Sequence, residues 1–439
     1  MKKHAISAKT LWIALAILCA AGTWLYFARV LIPRQVADAA VNARPRGNLS
    51  DLYPRWLGAR ELLLRGRDPY SPAVTREIQQ GYYGRPLESS RPNDPKDQQG
   101  FAYPVYVAFC LAPTIHLQFE TVRKGFFWVL LGLTAATIPL WLRLLRWPMP
   151  PSSEASLLIF TIGSLPVMQG LKLQQITLLV AALLAIALAL LASDQLIAAG
   201  VVLAVATIKP QLSALLLLWL LIWTLSDWRR RYRLAVSFLL TMAIFLGLSE
   251  CYLPHWIQRF WQAAHEYLAY TDAMSVMDIL MGGGSKGIVW ARALELLAFA
   301  AVIYACWKER RLASQTAGFG EMASLVLALT VLLVPTHDPY NQVLLLPAFL
   351  LLLKERGTIW RRSIANRVCF AIITGLVLWP WMASAVLAAL SFVLPRQMVE
   401  KFWAVPFWTV IQIPVATAAL MLARYYQKAF AAPVERRTS

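Results

Sequence analysis

The sequence predicts an all-α polytopic membrane protein, on three observations. Apolar runs of roughly 15 to 22 residues recur from end to end, each near the length that crosses a hydrocarbon core. Hydrophobic residues make up 59% of the 439 positions and charged residues only 15%. The lysines and arginines gather in short segments between the apolar runs, where they orient spans. Mean hydropathy is +0.54. A net charge of +19 would suit nucleic acid as a partner, but cations placed as span flanks set that class aside. Cys19, Cys110, Cys251, Cys306 and Cys369 are dispersed without a CxxC pair, so neither a disulfide framework nor a zinc site is indicated.

Lys2, Lys3 and Lys9 precede the first apolar stretch, 11–31. Small residues at 36–40 offer a signal-peptide cleavage site, but the stretch is long for a signal h-region and reads as an uncleaved first span. Either way, the loop that begins at residue 32 lies outside the cytoplasm. Further apolar segments fall near 101–117, 124–142, 154–168, 176–193, 196–208, 211–225, 234–252, 287–307, 321–335, 341–353, 366–383 and 403–424.

Parity decides which of them cross. If 101–117 spans, the basic segments at 143–147, 227–233, 308–311, 354–362 and the C-terminal tail all fall outside, against the positive-inside rule. If 101–117 lies along the outer surface, all five become cytoplasmic. Pro104, Pro113 and the aromatics of that segment agree with the second register. It leaves about twelve transmembrane helices in a single integral membrane domain, 1–439, with both termini inside. The first outer loop is 32–123, with amphipathic juxtamembrane helices; the second is 253–286; C-terminal spans fill 287–424 and a cytoplasmic tail runs from 425.

Three short polar turns also face outward, at 169–175, 209–211 and 336–341. Spans beside the last two hold only about 13 to 15 residues, roughly 20 Å of helix against a core near 30 Å. Those turns are expected below the outer surface, where polar backbone is tolerated only in protein or in a wet cavity. The expected cavity is floored by Lys209, His337 and Gln169, Gln174 and Gln175, with Asp51 above it. Asp51 heads a segment in which Leu52, Trp56, Ala59 and Leu63 fall at helical spacing, Glu61 and Arg65 lie four apart, and Gly66 offers a stop. It reads as an N-cap, as a general base, or as both. Asp68 precedes Pro69 and Tyr70 in a common turn motif. Lys209 interrupts an apolar run at an insertion cost of about 3 kcal/mol, so it is expected to snorkel or to meet a phosphate. His337, followed by Asp338, suits hydrogen bonding to a sugar, a phosphate or the base. The string at 282–287 satisfies G-x-G-x-x-G but lacks a βαβ frame, and no carboxylate cluster has metal-ligand spacing. Trp379, Trp381, Trp403 and Trp408 read as interfacial belt residues.

Asp51, Trp56, Ala59, Gly66 and the Asp68-Pro69-Tyr70 run, then "FAYPVYVAFCLAP", a Gln-rich turn, "IKP" and a late "P-x-x-D-P-Y", form an ordered series. That series resembles the family-87 glycosyltransferases, polytopic enzymes of the GT-C fold. Two turns depart from the family pattern, "QGLKLQQ" at 169–175 and "VPTHDPYN" at 334–341. The resemblance implies a polyprenyl-phosphate sugar donor, often mannose, used as substrate with no cofactor, and inverting transfer to a lipid or glycan acceptor on the outer face of the cytoplasmic membrane. Residues 124–252 then complete the core module begun by the first span and loop. Asp51 matches the first-loop catalytic aspartate and His337 the late-loop histidine. Lys209, helped by Lys172 or Arg292, is expected at the leaving phosphate, with Asp68, Tyr70, Asp338 and the three glutamines among the substrate contacts. A transporter or flippase for a lipid-linked sugar is the competing reading.

Overall fold

The computed structural model describes residues 8–42, 47–88, 90–271 and 273–435, and every regular element in them is helical. Helix α1 (Ala8–Tyr26) continues through one π-turn into α2 (Ile32–Val41), so the first apolar helix extends nine residues beyond the expected loop start at 32. Two juxtamembrane helices come next, α3 (Tyr53–Arg65) and α4 (Pro72–Tyr83). Leu52, Trp56, Ala59 and Leu62 form the buried face of α3, Arg65 bonds Glu61 at 2.9 Å, and Gly66 ends the helix at φ +62°. Only glycine adopts that conformation without strain.

Residues 101–117 form no span. They hold the five-residue α5 (Val107–Leu111) and a single 3-10 turn. The segment is more deeply enclosed than one lying along a membrane surface: Phe101, Val105, Val107 and Ala108 are buried, and the Tyr106 hydroxyl donates to the Thr207 carbonyl at 2.9 Å. The Phe101 ring lies where a Cβ on Gly58 would stand, so α3 packs onto this segment only because position 58 has no side chain.

The later helices run alternately between two ends of the molecule. α6 (Phe119–Leu144) leads away from α3, where Phe119 packs on Tyr53 and Trp56, and ends at Leu145, whose carbonyl accepts from Lys354 Nζ at 2.7 Å. The return is a pair bent by 57°, α7 (Pro151–Ile162) and α8 (Leu165–Leu173), broken at Gly163 and Ser164 before Pro166. Three shorter apolar helices succeed it, α9 (Ile176–Ala192), α10 (Leu196–Ala206) and α11 (Pro210–Ser226), then the long α12 (Trp228–Tyr252). The second loop carries amphipathic α13 (Trp256–Tyr270) and α14 (Val276–Leu280), the latter closed by a capping box of Ser275 and Asp278. Last come α15 (Ser285–Lys308), α16 (Ala317–Leu333), α17 (Leu346–Lys354), α18 (Arg356–Arg362), α19 (Ile364–Val393), α20 (Arg396–Glu400) and α21 (Gln412–Glu435). α19 runs ten residues past the expected end at 383.

Six of these helices are long and apolar enough to cross a membrane alone, or seven if the bent pair is one span. The other five apolar segments of the expected twelve hold 11 to 17 residues, short for independent crossing, and survive by burial against their neighbours. Contacts between loops sort the charge by end. Arg146 bonds the Gln315 carbonyl, Arg231 reaches the carbonyls of Arg310 and Leu312, Lys354 reaches Leu145, and Arg424 pairs with Glu355 and Glu321. The basic segments between spans therefore share one end. Asp51, Gln175, Lys209 and the turn before Pro339 share the other.

Candidate active site

Asp51 does not cap α3. The cap position belongs to Leu52, and no side chain bonds the first turn there. The carboxylate is instead gripped from outside the helix: the Tyr82 hydroxyl donates to Oδ1 at 3.1 Å, and Gln175 Nε2 donates to Oδ2. The Asp51 N–H bonds the Leu173 carbonyl at 2.9 Å, so the loop is stitched to the α8–α9 turn by backbone and side chain together. Gln174 adopts φ +50°, uncommon for a residue with a Cβ, and this turn brings Gln175 back over Asp51.

Burial raises the pKa of Asp51 above the usual carboxylate range, and the nearby Asp338 charge adds to the rise. The Arg55 charge and the two hydrogen bonds oppose it. Arg55 is one helical turn after Asp51, is 8% exposed, lies 4.3 Å over the Tyr103 ring and donates to the Asp51 carbonyl. Asp51 itself is half-buried, so part of it remains open to solvent.

Lys209 is only 5% exposed and has not snorkelled outward. It stands at the cap position of α11, donates to Thr177 Oγ1 at 2.7 Å and sits 5.0 Å from the Tyr340 ring centroid. Among the described residues it makes no ion pair. Thr177 in turn donates to Asn341 Oδ1 at 3.2 Å. The start of α9 thus carries both clamps, Gln175 on the carboxylate and Thr177 on the ammonium. His337 is tied by its backbone N–H to the Met274 carbonyl at 3.0 Å; burial lowers its pKa, opposed by Asp338, so the imidazole is neutral at pH 7.

Other expected residues are placed differently. Gln169 and Lys172 line a cavity of about 460 Å³ that reaches Tyr82 and Trp403. Lys172 also bonds Gln35. Gln174 closes α8 through the carbonyls of Leu171 and Lys172. Asp68 turns the chain by accepting the Tyr70 N–H at 2.9 Å and pairs with Arg259 on α13, joining the two outer loops. Tyr70 donates to the Tyr103 carbonyl at 2.6 Å. Arg292 is occupied by Asp278, at 2.6 Å, and Glu295, and among the described residues it makes no hydrogen bond or ion pair to the Asp51 cluster. The Trp381 and Trp379 indole N–H groups donate to the carbonyls of Gly163 and Val405.

Sequence reasoning missed Arg55, Tyr82, Thr177 and Tyr340. For Arg55 a signal existed, because it comes after Asp51 at the i,i+4 spacing of one helix face. For Tyr82, 31 residues away across a turn, only the folded loop supplies the contact.

A helical frame with six or seven candidate membrane spans holds the Asp51 carboxylate and the buried Lys209 cation at one end. The profile of glycosyltransferase family 87 matches residues 101–335, just over half of the chain, and the protein belongs to that family. Asp51 and His337 lie outside the matched stretch; Lys209, Gln175 and Thr177 lie within it. No curated protein and no solved structure matches the chain.

Proposed function

We propose that the protein is an inverting glycosyltransferase that moves a sugar, mannose in the first instance, from a polyprenyl-phosphate donor to a lipid or glycan acceptor at the outer face of the cytoplasmic membrane. The observation that supports this reading is that Gln175 and Thr177, two residues apart at the start of α9, hold the Asp51 carboxylate and the Lys209 ammonium respectively. Asp51 takes the proton from the acceptor hydroxyl as that oxygen attacks the anomeric carbon. The bond from that carbon to the phosphate oxygen breaks on the opposite face, inverting the centre. Lys209 stabilises the charge that develops on the leaving phosphate. Its ammonium is buried and without a carboxylate partner among the described residues, so a phosphate gains the full interaction. Neutral His337 and the Tyr340 hydroxyl serve as hydrogen-bonding groups, positioning sugar and phosphate. The clustering of basic loops at the opposite end supports an outward-facing site by the positive-inside rule.

Proteoliposomes loaded with radiolabelled polyprenyl-phosphate-mannose and mixed membrane lipids test the assignment. A transferase moves label into a product that resists the mild acid that cleaves the donor. A flippase moves intact donor between leaflets and makes no such product.

A further inference from the structure

We propose that a groove between α1, α6 and α8 binds the phosphate and proximal chain of an anionic membrane lipid, whose headgroup extends into the cavity beside Asp51. Taking that lipid to be the acceptor rests on the transferase reading; the binding site itself does not. α1 and α6 each pack on α7 and α8, and the space left between them is a groove of about 360 Å³. Phe27, Phe127 and Leu171 wall it with hydrocarbon. Trp24 and Trp128 also line it and are largely exposed, as aromatics are at a lipid interface.

The polar lining is cationic. Arg123, Lys124 and Lys172 face the groove, and the one carboxylate bonded to them among the described residues is Glu120, shared by Arg123 at 3.0 Å and Lys124 at 3.8 Å. A second observation points to a ligand: Gln174, 7% exposed, lines the same groove, and its Oε1 is buried with no hydrogen-bond partner. An unpaired buried acceptor is costly, and a hydroxyl of the lipid next to its phosphate would satisfy it. Excess positive charge above apolar walls is the complement of an amphiphile with a negative phosphate.

Lys172 lines both this groove and the 460 Å³ cavity that holds Tyr82, Gln169 and Trp403. A lipid whose phosphate rests on Lys172 therefore has its chain on one side and its headgroup on the other. The headgroup side carries Arg34, Gln35, Asp38 and Gln169 in its lining, and Tyr82 there bonds the Asp51 carboxylate directly. The geometry divides labour between two cationic sites, with Lys209 for the donor phosphate and Lys172 with Arg123 and Lys124 for the second lipid.

Native mass spectrometry of the purified full chain, titrated separately with phosphatidylglycerol, phosphatidylcholine and inorganic phosphate, tests the site. Phosphatidylglycerol is expected to bind at least tenfold more tightly than phosphatidylcholine and to resist displacement by inorganic phosphate. Arg123→Gln with Lys124→Gln should weaken it about tenfold, and Arg123→Lys with Lys124→Arg should restore it. Lys124→Gln alone, at a side chain 73% exposed and so safe for folding, should weaken it about threefold. Equal binding of the two lipids, displacement by free phosphate, or no change in the neutralised variants overturns the proposal. Asp51→Asn should keep lipid binding while losing transfer. Lipid binding by a wild type that transfers no sugar leaves the groove standing and removes the acceptor role.

Discussion

Replacing Lys209 with methionine removes one charge and keeps an unbranched side chain of similar length. Two unit charges 4 Å apart interact by about 4 kcal/mol at an effective dielectric of 20. Hydrogen bonds to charged groups contribute about 1.5–3 kcal/mol in measured series. A loss near 3 kcal/mol corresponds to a donor Kd roughly 100-fold weaker, at about 1.4 kcal/mol per tenfold. Stability should move the other way. Lys209 is buried against Thr177 and the Tyr340 ring without an ion-pair partner among the described residues, so the wild type bears the cost of a desolvated ammonium. The variant should unfold at an equal or higher temperature in detergent. Binding of a labelled polyprenyl phosphate to the protein in nanodiscs, measured alongside thermal unfolding, reads both quantities. A Kd within threefold of wild type, or a marked fall in unfolding temperature, would show that Lys209 is a structural group and not a phosphate ligand.

The same geometry leads to three more expected outcomes. Asp51 must be ionised to accept a proton, and burial holds its pKa above the ordinary aspartate value of about 3.9. kcat/KM should therefore climb with pH to a midpoint above that value, and Tyr82→Phe, by removing a hydrogen bond to the carboxylate, should move the limb to higher pH. The same raised pKa means that stability falls as pH rises from about 3.9 through the folded-state pKa, so Asp51→Asn should raise the unfolding temperature at pH 7. At the opposite end, Arg424 is 5% exposed between Glu355 and Glu321; Arg424→Ala should cost about 3–5 kcal/mol of stability yet leave donor Kd unchanged, checked by the same two assays.

Much of the frame was legible because it is dictated by the solvent. Apolar run lengths located the helices, and parity in the basic segments excluded 101–117 as a span, which the short α5 and its 3-10 turn bear out. Helix lengths were less legible. The first helix continues through Ile32 to Val41 although that stretch carries Arg34, Gln35 and Asp38, and α19 runs on to Val393 because 384–393 is itself mostly apolar. Five of the expected spans proved too short to cross unaided, a limit set by packing partners rather than by composition. In the site, single anomalies were readable: a lysine within an apolar run and an aspartate opening a helical pattern. Their partners were not. Gln175 and Tyr82 meet Asp51 from 124 and 31 residues away, and nothing in local periodicity encodes such contacts. Asp51 also looked like a cap, yet the helix begins two residues later and its carboxylate faces the cavity end.

The most direct test of the central claim is single-turnover transfer from radiolabelled polyprenyl-phosphate-mannose to membrane-lipid acceptors, comparing wild type with Asp51→Asn at matched donor occupancy. Loss of roughly a thousandfold or more in the transfer rate, with donor binding retained, is the expected result for removal of the base. Transfer by the variant at the wild-type rate would contradict the role of Asp51 and with it the account of how this site works.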